Sequence, residues 1–452
     1  MAGLSVAHKV ALAAIVERAP DPMLAKLSQV VGSLPGERAR ELQTMLAVEA
    51  LDRRRRAIVL MPLMPMFRQR ADGIECMTFP VGVLPRLWKA ASSREPELLC
   101  RLDDDGPDVM PVVNRICLAA ASVVRDKPDL IWPVDANPAA REKGLADLAT
   151  CLDLARLARD ALPSLEIWLK RPDGDQIAEL RLLLKDCAGV HHDGSQRVLE
   201  ILFSHLEDAV LILRVITQTS GVAERESFLS ASELADFVQR LIVGVEVRAA
   251  RIAAFQSGAT KVRVEEIIAD FSWCAAVLSE LDITLTLNPQ SAWGKSVRDG
   301  RVMISGQLSS FLRAADKAVD KALPLAKVKI GGRMSRKCPL MTAPFEGPDV
   351  NSVRNLLKLV GSVRGAASVF GAESNRKLLV ESLTARLSDY ADEALHMVND
   401  GEVADEAHAL KLIALASHCL ALINAKDAAR TVRRRAAVAG ADKDDKASSR
   451  AA

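Results

Sequence analysis

Aromatic side chains are scarce in this 452-residue chain, at 4% of residues. That scarcity argues against a carbohydrate groove or a platform for stacked bases, both of which rely on rings. The eight cysteines stand far apart and no C-x-x-C occurs, which excludes the common zinc spacings. They read as buried, reduced thiols rather than a disulfide framework. No Rossmann glycine pattern, Gly-x-Ser-x-Gly elbow or Cys/His signature is present. This weakens the enzyme class without removing it, because catalytic groups can assemble from scattered positions. Nor does any fixed-period repeat support a solenoid.

Long apolar runs are missing too. The run at 10–16 follows Lys9 and is closed by Glu17-Arg18, so it reads as one side of an amphipathic helix rather than a signal peptide. The stretch 57–67 contains Pro62 and Pro65 and is too short to span a bilayer. A cytoplasmic address is the default expectation.

What the chain has is helical pattern. Hydrophobic residues make up 49% and charged residues 26%, the balance of an Ala- and Leu-rich helical protein long enough for two or three domains. Residues 1–135 read as an N-terminal helical region crossed by a Met- and Pro-rich apolar strip, expected to lie extended over a helical core. A central helical body follows at 136–281. Within it, 195–218 is apolar nearly all round and reads as one buried central helix carrying Leu202, Leu206, Leu213 and Ile216. Ser230-Ala231-Ser232-Glu233 has the form of a capping box for the next helix. Residues 346–426 read as a C-terminal three-helix unit, near 351–370, 373–399 and 404–425, with Gly371 and Gly401 as punctuation. The basic stretch 427–452 has few apolar anchors and is expected to be disordered after Arg435.

Between body and C-terminal unit, the pattern of 282–345 changes. Ile283-Thr284-Leu285-Thr286-Leu287 alternates at period two, as do 301–305 and 327–330, and each reads as a strand. The segment 306–325 is helical in spacing. The fold expected is therefore mostly α, with a small β-β-α-β module inserted before the C-terminal unit and its last two strands parallel. This module also concentrates charge. From Ser291 to Leu340 there are eleven basic residues against three acids, a net +8 in a chain whose total is +2. Period two sets Lys327 and Lys329 on one face and Val328 and Ile330 on the other. Gly331-Gly332 allows an irregular turn leading to Arg333, Arg336 and Lys337.

Several local motifs imitate chemistry. Trp293-Gly294-Lys295-Ser296 ends like a Walker A loop, but Pro289 occupies the place of the upstream glycine. His191-His192-Asp193-Gly194 lacks the second half of a metal spacing, and Asp193 or Ser195 suits a helix cap. Glu393-x-x-His396 and Asp405-x-x-His408 resemble half of a di-iron set, without the partner glutamates. Asp103-Asp104-Asp105-Gly106 lacks the alternation of a calcium loop. Arg53-Arg54-Arg55-Arg56 reads as cations complementing a helix C-terminus, ahead of a phosphate patch.

The function expected from these residues is a binding or scaffold protein that docks an anionic partner, an acidic protein surface or a nucleic-acid backbone. The binding residues expected are Lys295, Arg301, Lys327, Lys329, Arg333, Arg336 and Lys337. No metal or cofactor is expected. Docking of the module on the chain's own acidic body is an equal expectation, and Arg313, Lys317 and Lys321 beside Asp316 and Asp320 read as a salt-laced helix face. The alternative is an enzyme acting on a phosphorylated or otherwise anionic substrate at the cleft between body and module. One pocket converging Lys327, Lys329 and Arg333 with a carboxylate or histidine would favour it.

Overall fold

Segments with apolar residues near helical spacing fold as helices throughout the computed structural model, which describes residues 4–103, 109–133, 137–170, 172–219, 226–230, 232, 234–331 and 334–450. The chain is mostly helical, with one two-stranded antiparallel sheet among these residues. It divides into two compact units, Met1–Gly221 and Val222–Ala452.

The first unit begins with α1 (Val6–Arg18), α2 (Asp21–Gly32) and α3 (Glu37–Val59), closed around Val16, Leu24, Val31 and Leu46. One residue of the tetra-arginine run, Arg53, ties these helices together. Arg53 donates to the carbonyls of Val16, Glu17 and Ala19 at the end of α1 and pairs with Asp21 and Glu49. Arg55 pairs with Asp103. Arg56 stands in the last turn of α3, as expected of cations at a helix C-terminus, while Arg53 complements the C-terminus of α1 as well. The Met/Pro strip is not extended: Met61–Phe67 is a 3₁₀ helix with Pro62, Leu63, Met66 and Phe67 buried.

Next come α4 (Val83–Arg94), α5 (Val109–Asp126), α6 (Pro128–Ile131), α7 (Pro138–Asp153), α8 (Ala155–Ala161), α9 (Leu165–Leu169) and α10 (Gly174–Val190). A capping box, with Asp173 and Gln176 exchanging bonds, starts α10. One apolar core runs from Val59 to Ile201, so the boundary expected near residue 135 falls inside it.

The expected central helix is broken. It forms α11 (Gly194–His205), a 3₁₀ turn at Ala209–Leu211 and α12 (Ile212–Thr219). Leu202, Leu206, Leu213 and Ile216 are nonetheless all buried. Polar side chains take over the backbone groups freed at the break. Arg70 donates to the carbonyls of Phe203 and Leu206 at 2.6 and 2.9 Å, and Asp72 accepts from the amide of Ala209 at 3.2 Å. Asp208 caps Val210.

The second unit contains α13 (Glu226–Leu229), α14 (Ala235–Ala253), α15 (Lys261–Thr284) and the 31-residue α16 (Ala292–Ala322). After these come β1 (Leu325–Gly331), β2 (Met334–Pro339), α17 (Pro348–Ser362), α18 (Arg364–Val369), α19 (Glu373–Asn399), α20 (Glu406–Leu422) and α21 (Lys426–Arg450). Residues 231 and 233 of the expected capping box lie outside the described residues; Ser232 accepts from the amide of Leu234.

Two of the three expected strands are absent. Ile283 and Thr284 end α15, and 301–305 lies inside α16. The reason is the longer period: Val297, Gly300, Ile304, Leu308, Phe311, Leu312 and Ala315 are buried along one side of α16. The third strand, 327–330, forms within β1, but pairs antiparallel with β2 rather than parallel across a helix. The first expected C-terminal helix divides into α17 and α18. The tail expected to be disordered after Arg435 continues as α21, and Ala429, Val432 and Ala439 pack as buried residues.

Candidate functional site

The hairpin is the one place where the expected binding residues meet. Its register places Leu325 opposite Pro339, Lys327 opposite Lys337, Val328 opposite Arg336 and Lys329 opposite Ser335. Leu340 donates to the carbonyl of Pro324 at 2.9 Å and closes the base. Cys338 is buried, and Arg336 on β2 pairs with Glu393 on α19. That contact fastens the strand to the helix, and the Glu393 carboxylate raises the Arg336 pKa above its ordinary value. Lys327 and Lys337 remain exposed and form no ion pair with a described residue.

The remaining expected residues disperse. Lys295 is exposed near the start of α16, and Arg301 pairs with Asp282 at 2.8 Å. At 1.5 Å per residue they lie about 30 Å or more along α16 from the hairpin and share no patch with it. Arg333 lies outside the described residues, and Lys329 is placed by its backbone alone.

The C-terminal half of α16 supplies what the sequence undervalued. Asp316 and Asp320 do not lace their own helix; both pair with Arg386 on α19, Asp316 at 2.5 Å. Arg313, Lys317 and Lys321 are therefore left exposed, with no ion pair to a described residue. The i, i+4, i+8 spacing was visible, but the diversion of its acids to α19 is a long-range fact.

A cleft of about 250 Å³ lies beside the hairpin, between α16 and α19. Lys337 and Arg386 face Asp320, Asp389 and Glu393 across it, so cations do not predominate there. Tyr390 lies in its wall with its hydroxyl buried and without a hydrogen-bond partner among the described residues, and burial pushes its pKa up to about 12. Lys327 is not among the lining residues, so the cleft is not the pocket that the enzyme alternative asked for.

Residues of the imitation motifs make local structural contacts. His191 pairs with Asp153 at 2.9 Å, and Asp193 with Arg197. Ser195 donates to the carbonyl of Leu184, so neither Asp193 nor Ser195 makes the expected side-chain cap of α11. His408 bonds the carbonyl of Ala343, while Asp405 caps α20. Residues 104–106 of the acidic run lie outside the described residues. Among the described residues no group of three or more His, Cys, Asp or Glu side chains could hold a metal ion, and no helix is long and apolar enough to cross a membrane. Compared with known proteins, the chain matches no family model, and neither a curated protein nor a solved structure is similar to it.

Proposed function

We propose that this chain is a helical binding protein that docks an anionic partner on the hairpin and the adjoining C-terminal half of α16. The observation that carries the reading is Lys327 directly opposite Lys337, both exposed and without a counter-ion among the described residues. Like charges facing each other across a strand pair destabilise it. An anion seated over both removes that repulsion. Arg313, Lys317 and Lys321 are likewise exposed, on the C-terminal half of the helix that leads into the hairpin. Arg301 and Arg336, by contrast, are paired within the chain, with Asp282 and Glu393. The partner is an acidic protein surface or a nucleic-acid backbone, read through charge, because the surface offers no aromatic side chain for stacking. A cytoplasmic setting belongs to the same proposal, supported by eight thiols, none in a disulfide.

The test is a salt titration of duplex DNA, RNA and an acidic peptide against the parent chain, a Lys327→Ala/Lys337→Ala variant and a Lys295→Ala control. Polyanion binding should fall linearly on a log–log plot against salt, and the double variant should lower a duplex-DNA slope by about 0.9 per lost phosphate contact. The control should leave it unchanged. No binding of any of the three at low salt removes the proposal.

A further inference from the structure

A second cationic feature lies in the first unit and is independent of the hairpin. Helix α4 buries Val83, Leu84, Leu87, Trp88 and Ala91. Its other side turns Arg86, Lys89 and Ser93 toward the end of α5 and toward α6, across a cavity of about 520 Å³. That volume lies in the range of small-molecule sites. Arg86, Lys89, Arg94 and Lys127 line it against a single carboxylate, Asp126. Asp126 is taken by Arg94 at 3.0 Å, so three cations face the cavity with no ion pair to a described residue.

The helix dipole explains only some of this charge. Arg94 and Lys127 stand at the C-terminal ends of α4 and α5, where cations are favourable. Arg86 stands in the first turn of α4, where the helix end is itself positive and no acid is present. A cation held there is better accounted for by an anion that it meets. Between the cations the lining is apolar: Ala90, Val123 and Leu130, the last 60% exposed. Ions alone gain nothing from such a lining.

We infer that this cavity binds a small amphipathic anion, a phosphate or similar headgroup joined to a short apolar body. The headgroup sits between Arg86, Lys89 and Lys127, and the apolar body lies on Val123 and Leu130. Calorimetry with octyl phosphate, inorganic phosphate and octanol tests it on the full chain. Octyl phosphate should bind at one per chain, about tenfold or more tighter than either fragment, since each buried methylene adds to the headgroup's contribution. Arg86→Glu with Lys89→Glu should weaken it about tenfold, and Asp126→Asn should strengthen it. Leu130→Asp gives an independent reading should the double variant lose its fold, and it too should weaken binding. Equal affinity for octyl phosphate and inorganic phosphate overturns the inference. So does unchanged affinity in folded variants, or binding seen only on phosphatidic acid vesicles.

Discussion

The side-chain amide of Asn424 donates to the backbone carbonyl of Gly361 at 2.8 Å, locking the end of α20 onto α17. Asn424 adopts φ 67, alone among the described non-glycine residues in being positive. Asparagine tolerates that region better than most side chains. The approach is close because Gly361 has no Cβ. One placed there would stand 2.0 Å from the carbonyl oxygen of Leu422.

Gly361→Ala should therefore push the two helices apart. The expected loss is about 1–3 kcal/mol, the usual effect of overpacking. Urea unfolding measures it, and an unchanged midpoint would show that α17 and α20 separate without strain.

Arg70 and Asp72 form an ion pair at the helix break of the first unit. Arg70 is nearly buried, pairs with Asp72 at 2.6 Å, lies over the Phe203 ring and satisfies two carbonyls at the helix break. Arg70→Ala leaves a half-buried carboxylate and two open carbonyls, so a loss of about 3–5 kcal/mol is expected. Burial on its own raises the Asp72 pKa. The bonds from Arg70 and from the amides of Ile74 and Ala209 outweigh it and hold the carboxyl below its ordinary value. Its stabilisation is thus full above the unfolded value of about 3.9 and is lost as pH falls through the lower folded value. An Asp72→Asn chain should be destabilised at pH 7 but less acid-sensitive below pH 4, read by unfolding at both.

His205 gives a second pH dependence in a different window. Burial, with Arg68 nearby, lowers its pKa, and the bond to the Pro62 carbonyl only partly offsets this. The neutral ring is the folded form. Its contribution is complete above the unfolded value of about 6.5 and declines as pH falls toward the folded value, because the unfolded chain takes the proton first. Stability of the parent should drop as pH falls below about 6.5. In His205→Gln that part of the drop should vanish; an identical pH profile would show that the imidazole does not titrate with folding.

Helices were legible where punctuation and period agreed. Helix α19 spans Glu373–Asn399, the range its pattern indicates, bracketed by Gly371 and Gly401 in left-handed conformations that suit glycine. Strands were legible only at β1. At 301–305 the pattern misleads, because Val302 is apolar yet 67% exposed and stands two residues before the buried Ile304, which mimics alternation in a short window. Strand β2 carries Met334-Ser335-Arg336-Lys337-Cys338-Pro339, with too little apolar alternation to announce itself. Without β2 there is no register, and without register the Lys327–Lys337 opposition is invisible. The involvement of Arg386 with Asp316 and Asp320 likewise depends on α19 packing beside α16, which no local spacing encodes.

The arrangement of thiols makes the chain its own reporter of opening. Cys100 is exposed and Cys76 half-buried, while Cys117, Cys151 and Cys187 in one unit and Cys274, Cys338 and Cys419 in the other are buried. Burial pushes Cys187, Cys274 and Cys419 up to about 12, far from the thiolate that alkylating reagents need. Brief treatment of the native chain with iodoacetamide therefore labels Cys100 first. Each later mass increment, assigned by peptide mapping, names the unit that has opened. A label at Cys338 ahead of its companions records fraying of the hairpin before either core gives way.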